Sequence, residues 1–144
     1  MASERVRVDW IENQVFLLRD RHDFPIIMTQ PQGVSGADLL PLSLAGCSAW
    51  DVVGIIQKQR QQLIGLQVLV ESEREENPPW RFKKIHLHYK FSGHNLNEYL
   101  IRRAIELTNT KYCSIYATLQ AAVELSTGYE INADTNTNDE KVKR

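Results

Sequence analysis

Cys47 and Cys113 have the strongest claim to covalent chemistry in this chain, and where each falls sets what that chemistry would be. Cys47 lies in LAGCSAWDVV, within an apolar stretch that reads as a helix, with Asp51 one turn later on the same face. Cys113 lies in KYCSIYATL, at the predicted start of a later helix, where unpaired N–H groups and the positive end of the helix dipole favour a thiolate. Sixty-six positions separate them, so any meeting must be tertiary. If the two helices cross, one sulfur can attack a peroxide oxygen and become a sulfenic acid, and the other can condense with it to a disulfide. The same residues also read as packing, because free cysteine is among the most buried residue types.

A sulfur in an apolar helix ionises at neutral pH only with a cation nearby to offset desolvation. Arg19 and Arg21, in RDRHD at the end of the predicted second strand, are the candidates. Either could hold a carboxylate while its remaining donors polarise a peroxide bond. Two positions apart on a strand, they point to opposite faces, so only one can face a given site. Asp38, nine residues before Cys47, could hold that arginine; it equally reads as an acid favoured by the dipole at a helix entrance, and RDRHD as a solvated turn. His86 and His88 alternate on a predicted strand and share a face, but no neighbouring cysteine or carboxylate completes a ligand set, so no metal site is expected. Trp50, Tyr112 and Tyr116 flank the cysteines and read as the lining of an apolar cavity. The sequence has no phosphate-binding glycine loop, nucleophile-elbow serine or dinucleotide fingerprint.

The secondary structure that carries these residues can be read from periodicity. ERVRVDW, QVFLL and Phe24 to Met28 read as three short strands, the first two joined by a turn near Glu12-Asn13. A Pro/Gly/Ser-rich loop leads into a long central helix from Ala37 to about Ile64, with Gly65 as its stop. LQVLVESE and FKKIHLHYKF form a second hairpin around Asn77-Pro78-Pro79. Asn95 is expected to cap a helix ending near Asn109, and a third helix starts around Tyr112. Ser126 to Ile131 is a last strand. The expectation is one domain over 1–132 and a polar, disordered tail over 133–144.

Composition narrows the function classes. With 42% hydrophobic and 24% charged residues, the 144-residue chain has the profile of an ordinary globular domain. A formal net charge of -1 provides no broad basic field for nucleic acid. The N-terminus lacks the pattern of a secretory signal, so a cytoplasmic protein is expected. The segment from Leu39 to Ile56 reads as too short and too polar to span a membrane and as a buried core helix. Two cysteines in a reducing compartment are too few for a disulfide framework.

Around both cysteines the chain resembles the OsmC/Ohr family of osmotically induced and organic-hydroperoxide-resistance proteins, in its OsmC-like branch. GADLLPLSLAGCSAWDVV, from Gly36 to Val53, is similar to the family's first-cysteine helix, and KYCSIYATLQAAVEL to its second-cysteine segment. The resemblance covers roughly residues 4 to 131. It implies an α+β fold of antiparallel β-sheets around a long central helix, assembled as an intertwined homodimer with its active sites at the interface. It further implies that Cys47 is the peroxidatic and Cys113 the resolving cysteine, with Arg19 and Asp38 activating the site. The implied substrate is an organic or fatty-acid hydroperoxide, the implied reductant a dithiol such as dihydrolipoamide, and no metal or organic cofactor is required. At one position the chain departs from the family pattern, where Asp38 stands in place of the usual glutamate. The competing reading is a non-catalytic member of the same fold that holds a lipid-like molecule in the interface cavity, both cysteines serving as packing; a weaker one is a structural dimer without a small ligand.

Overall fold

Alternation of apolar and polar residues sets the strands, and a run of apolar residues without strong breakers sets the central helix. The computed structural model describes residues 3–30 and 32–133. The chain groups into two compact units, Met1–Leu42 and Ser43–Arg144.

In the first unit, β1 (Arg7–Glu12), β2 (Val15–Arg19) and β3 (Pro25–Met28) form an antiparallel meander in the order β1-β2-β3. Asn13 sits in the β1–β2 turn at φ 45°, a left-handed conformation that asparagine tolerates. Asp20 shapes the β2–β3 turn: its carboxylate accepts the backbone N–H groups of His22 and Phe24, both at 2.9 Å. Those bonds hold its acid below the usual range, the Phe24 N–H contributing most.

The second unit contains most of α1 (Leu39–Lys58), then β4 (Gln62–Arg74), β5 (Phe82–His94), α2 (Glu98–Leu107), α3 (Ser114–Leu119) and β6 (Glu124–Ala133). Its sheet has the order β4-β5-β6. β4 and β5 are an antiparallel hairpin, whereas β6 runs parallel to β5, so this sheet is mixed. A parallel partner needs a crossover, and the two helices between β5 and β6 supply it. β5 is central and its alternate residues Ile85, Leu87, Tyr89 and Phe91 are buried. They share one core with Leu44, Ala45, Val52 and Ile56 of α1 and Ile101, Ala104 and Ile105 of α2.

The long helix ends six residues before the sequence suggests. Gly65 does not stop it. Arg60, at φ 58°, adopts the left-handed conformation, its N–H bonding to the Gln57 carbonyl at 3.0 Å and the Gln61 N–H to that of Ile56 at 3.3 Å. This is a Schellman closure made without glycine. Gly65 instead lies in β4 beside a bulge, where a Cβ would come within 2.7 Å of Ser92 Oγ. Asn97, not Asn95, caps α2: its side chain accepts the Leu100 N–H at 3.1 Å. By length and composition alone α1 is long and apolar enough to cross a membrane, contrary to the sequence reading. One stripe of it, Leu44, Ala45, Ser48, Val52 and Ile56, is buried, while Leu42 and Trp50 are exposed. Of the tail expected over 133–144, Ala133 ends β6 and the rest lies outside the described residues.

Leu87→Ala, which empties a buried position on the central strand, is expected to cost about 2–5 kcal/mol. Lys83→Ala, on the exposed part of the same strand, should cost less than about 0.5 kcal/mol. Urea unfolding of both variants checks the assignment of the core face.

Candidate active site

Four-residue spacing along α1 aligns Leu44, Ser48, Val52 and Ile56 on the buried stripe. Cys47 and Asp51, one position back from that stripe and one turn apart, are both half-buried at its edge. The second sulfur arrives by a different route. After α2 the chain makes a single π turn, Thr108–Tyr112, closed by the Cys113 N–H on the Thr108 carbonyl at 2.9 Å. Thr108 is buried, and its hydroxyl donates to the Ala104 carbonyl at 2.9 Å. The extra residue of a π turn re-aims the chain beyond it. Cys113 leaves it extended, at φ -77° and ψ 107°, and becomes the N-cap of α3, its Sγ accepting the Tyr116 N–H at 3.4 Å.

The outcome is a cluster in which the two sulfurs and an Asp51 carboxylate oxygen all lie within 4.8 Å of one another. Both cysteines are free thiols, Cys113 buried to 2% exposure. Ser48, fully buried, donates its hydroxyl to Cys113 Sγ at 3.5 Å. Of the aromatic residues expected to line a cavity here, Trp50 and Tyr112 are exposed. Tyr116 packs on the core and lines a cavity of about 620 Å³ with Arg102, Asn109, Thr127 and Tyr129.

The electrostatics of this cluster oppose charge. Burial pushes the Cys47 thiol above its ordinary range, and its hydrogen bond with Cys113 and the charges of Cys113 and Asp51 push the same way; the Ile115 N–H works against them. Burial also raises the Asp51 acid. Tyr89 is pushed up to about 12, first by burial and then by Cys113, Tyr116 and Asp51. Ser48 stands near enough to favour its phenolate, yet among the described residues the Tyr89 hydroxyl meets no partner at hydrogen-bonding geometry.

Arg19 and Asp38 belong to the first unit. Arg19 donates from Nη1 to the Asp23 carbonyl at 2.8 Å and approaches the Asp23 carboxylate at 3.7 Å. Its Nε is buried without a partner among the described residues. Arg21 is occupied by Glu4 and by His22. Asp38 is exposed, its N–H donating to Ser35 Oγ at 3.1 Å. Of the residues chosen from sequence, the structure thus brings Cys47 and Cys113 together with Asp51. Ser48 and Tyr89 were missed. The signal for Tyr89 was a polar tip on the inward register of β5, two positions from Leu87 and Phe91; Ser48 carried only its place on the apolar stripe. His86 and His88 do share a face, their rings 6.3 Å apart, but His86 Nδ1 lies 2.7 Å from Ser126 Oγ and His88 Nε2 3.6 Å from Glu130.

A cysteine-bearing helix laid on a sheet, with a second cysteine brought to it at the cap of another helix, defines a dithiol protein of the α+β class. Residues 29–128 match the model of the OsmC-like protein family. Protein YhfA of Escherichia coli strain K12 is 36% identical over 132 residues, 90% of this chain and 98% of YhfA. The chain belongs to the OsmC-like family, as the motifs around Cys47 and Cys113 suggested. Among solved structures, a hypothetical protein of Aquifex aeolicus VF5 superposes with a TM-score of 0.84 at 24% identity, covering 93% of this chain and 99% of that one. The organic hydroperoxide resistance protein OhrB of Bacillus subtilis shares the fold at a TM-score of 0.59 and 11% identity, over 90% and 98% of the two chains.

Asp51→Asn removes a charge that raises Cys47, so the pH at which Cys47 becomes alkylated by iodoacetamide should move down. Tyr89 contributes stability that is fully present below the ordinary tyrosine range near pH 10 and is lost as pH rises toward about 12, because the unfolded chain deprotonates first. Tyr89→Phe, which deletes an unpartnered hydroxyl, is expected to preserve or raise the melting temperature and to flatten that alkaline loss in a thermal series from about pH 9 to 12.

Proposed function

We propose that this protein is a thiol-dependent peroxidase that reduces organic hydroperoxides through a Cys47 sulfenic acid and a Cys47–Cys113 disulfide. The observation that carries this reading is the meeting of two free sulfurs within 4.8 Å from positions sixty-six residues apart. The Cys47 thiolate attacks one peroxide oxygen; the O–O bond breaks, the alcohol leaves with a proton, and Cys47 carries the S–OH. The Cys113 sulfur displaces that hydroxyl as water and forms the S–S bond. An external dithiol of the dihydrolipoamide kind then reduces the disulfide and is itself oxidised to a cyclic disulfide. Half-burial suits an apolar peroxide at Cys47, and the buried Cys113 is shielded from other oxidants.

Arg19 is the residue assigned to activate Cys47, with Asp38 as its carboxylate partner. Its buried, unused Nε leaves a donor available, whereas both donors described for Arg21 are engaged. Activation calls for a cation because every influence on Cys47 except the Ile115 N–H raises it. We assign the working form as a homodimer in the cytoplasm, with residues 1–132 as its OsmC-like domain. Trp50, 82% exposed on an apolar helix, supports an apolar partner surface, and a dithiol that must be returned to its reduced form suits a reducing compartment. Likeness in fold to a protein named for organic hydroperoxide resistance supports the substrate class.

Consumption of cumene hydroperoxide by the dithiol-reduced protein tests this reading. Turnover should fall at least about 1000-fold in Cys47→Ser, and mass spectrometry should find a Cys47–Cys113 disulfide after oxidation. Arg19→Ala should lower turnover about 100-fold while Arg21→Ala leaves it within about threefold. No turnover and no disulfide would instead favour the non-catalytic reading, in which the fold binds a lipid-like molecule at the dimer interface.

A further inference from the structure

Two thiols and a carboxylate gathered at one half-buried spot suit a soft cation as well as a peroxide. We propose that in the reduced protein Cys47, Asp51 and Cys113 form a binding site for a thiophilic divalent cation of the zinc class. The proposal does not rest on the peroxidase reading. Among the described residues, this is the only set of three His, Cys, Asp or Glu side chains whose ligand atoms lie within 4.8 Å of one another. Around a tetrahedral zinc with bonds of about 2.3 Å to sulfur and about 2.0 Å to oxygen, neighbouring ligand atoms stand roughly 3.5–3.8 Å apart. Side-chain rotation on the order of 1 Å therefore closes the set. Two sulfurs in a three-ligand set select zinc over magnesium or calcium, which take oxygen.

Two further observations fit. Cys113 Sγ already accepts hydrogen bonds from Ser48 Oγ at 3.5 Å and the Tyr116 N–H at 3.4 Å, the kind of outer contacts that orient a metal thiolate. The fully buried Tyr89 hydroxyl, close enough to feel both Cys113 and Asp51, has no partner among the described residues and offers a hydrogen bond to a water in the fourth position. His86 and His88, the other pair with metal-ligand chemistry, have Ser126 and Glu130 as their neighbours on the other side of the sheet. Binding displaces the thiol protons, about two per ion, so affinity must rise with pH.

The test uses the full, reduced, chelator-stripped protein. Zinc is titrated against a competing chelator, and cobalt(II) serves as a second probe through its sulfur-to-cobalt charge-transfer absorption. One ion per chain, affinity lowered at least about 100-fold in Cys47→Ser and in Cys113→Ser and about 10-fold or more in Asp51→Asn, and no change in His86→Ala/His88→Ala, are the expected results. Circular dichroism confirms that each variant is folded, and charge-transfer absorption in wild type that is weakened in Asp51→Asn keeps the test open should a cysteine variant not fold. Absence of zinc binding by the reduced wild type, or binding unchanged by the cysteine and aspartate substitutions, overturns the proposal. Zinc binding by a protein that consumes no peroxide would sink the peroxidase and leave this site standing; peroxide turnover without zinc binding would do the reverse.

Discussion

The inward face of β5, formed by Ile85, Leu87, Tyr89 and Phe91, is covered by the stripe of α1 that runs from Leu44 to Ile56, and the position of every reactive group in the second unit depends on that burial. Rotating α1 by one residue would bury Cys47 and lift Ser48 out. The register seen here keeps Ser48 inside, where it can reach Cys113, and leaves Cys47 and Asp51 half-buried at the rim. The hydrophobic effect is non-directional, but its periodicity along a helix and a strand is not. Apolar spacing thus determines which thiol sees solvent and which does not.

The same burial has an electrostatic cost at the cysteines. Partial desolvation raises Cys47, and the neighbours the fold places beside it, Cys113 and Asp51, raise it further. A site made only from the second unit holds its sulfurs close but disfavours the Cys47 thiolate. Proximity and ionisation are separate requirements, and this arrangement meets the first more fully than the second. Either an arginine or a bound dication would supply the missing positive charge, which is why the two proposals turn on the same two sulfurs and can be separated experimentally.

Much of this is legible in the order of the residues alone. Both hairpins, the long helix, the last strand and the placing of Cys113 at a helix start come from period and capping rules that act locally. The features that escape such rules depend on context. Gly65 looks like a helix stop, but the stop is Arg60, held left-handed by two carbonyl bonds that only the folded end reveals. The π turn at Thr108–Tyr112 has no sequence mark, since Thr-Asn-Thr reads equally as a frayed helix end. Asn95 and Asn97 are equally good caps by residue type, and Gln61, which accepts the Asn97 N–H at 2.8 Å, ties the second to the end of the first helix region. Arg19 and Arg21 cannot be ranked from strand parity; in the folded unit Arg19 bonds the Asp23 carbonyl, whereas Arg21 pairs with Glu4. The family resemblance, by contrast, needs only the two cysteine segments in order.

Cys113 has a second task that is easily overlooked. Its sulfur serves as the N-cap of α3, accepting the Tyr116 N–H in the role usually filled by serine, threonine or aspartate. The atom that would enter any new bond there is therefore also the one that finishes the first turn of a six-residue helix. A cap is typically worth about 1 kcal/mol, and a helix this short has little else to hold its start. A new bond that drew the sulfur away from the Tyr116 N–H would loosen the start of α3, and Tyr116 also lines the neighbouring cavity, so the cap links the state of one sulfur to a wall several residues away.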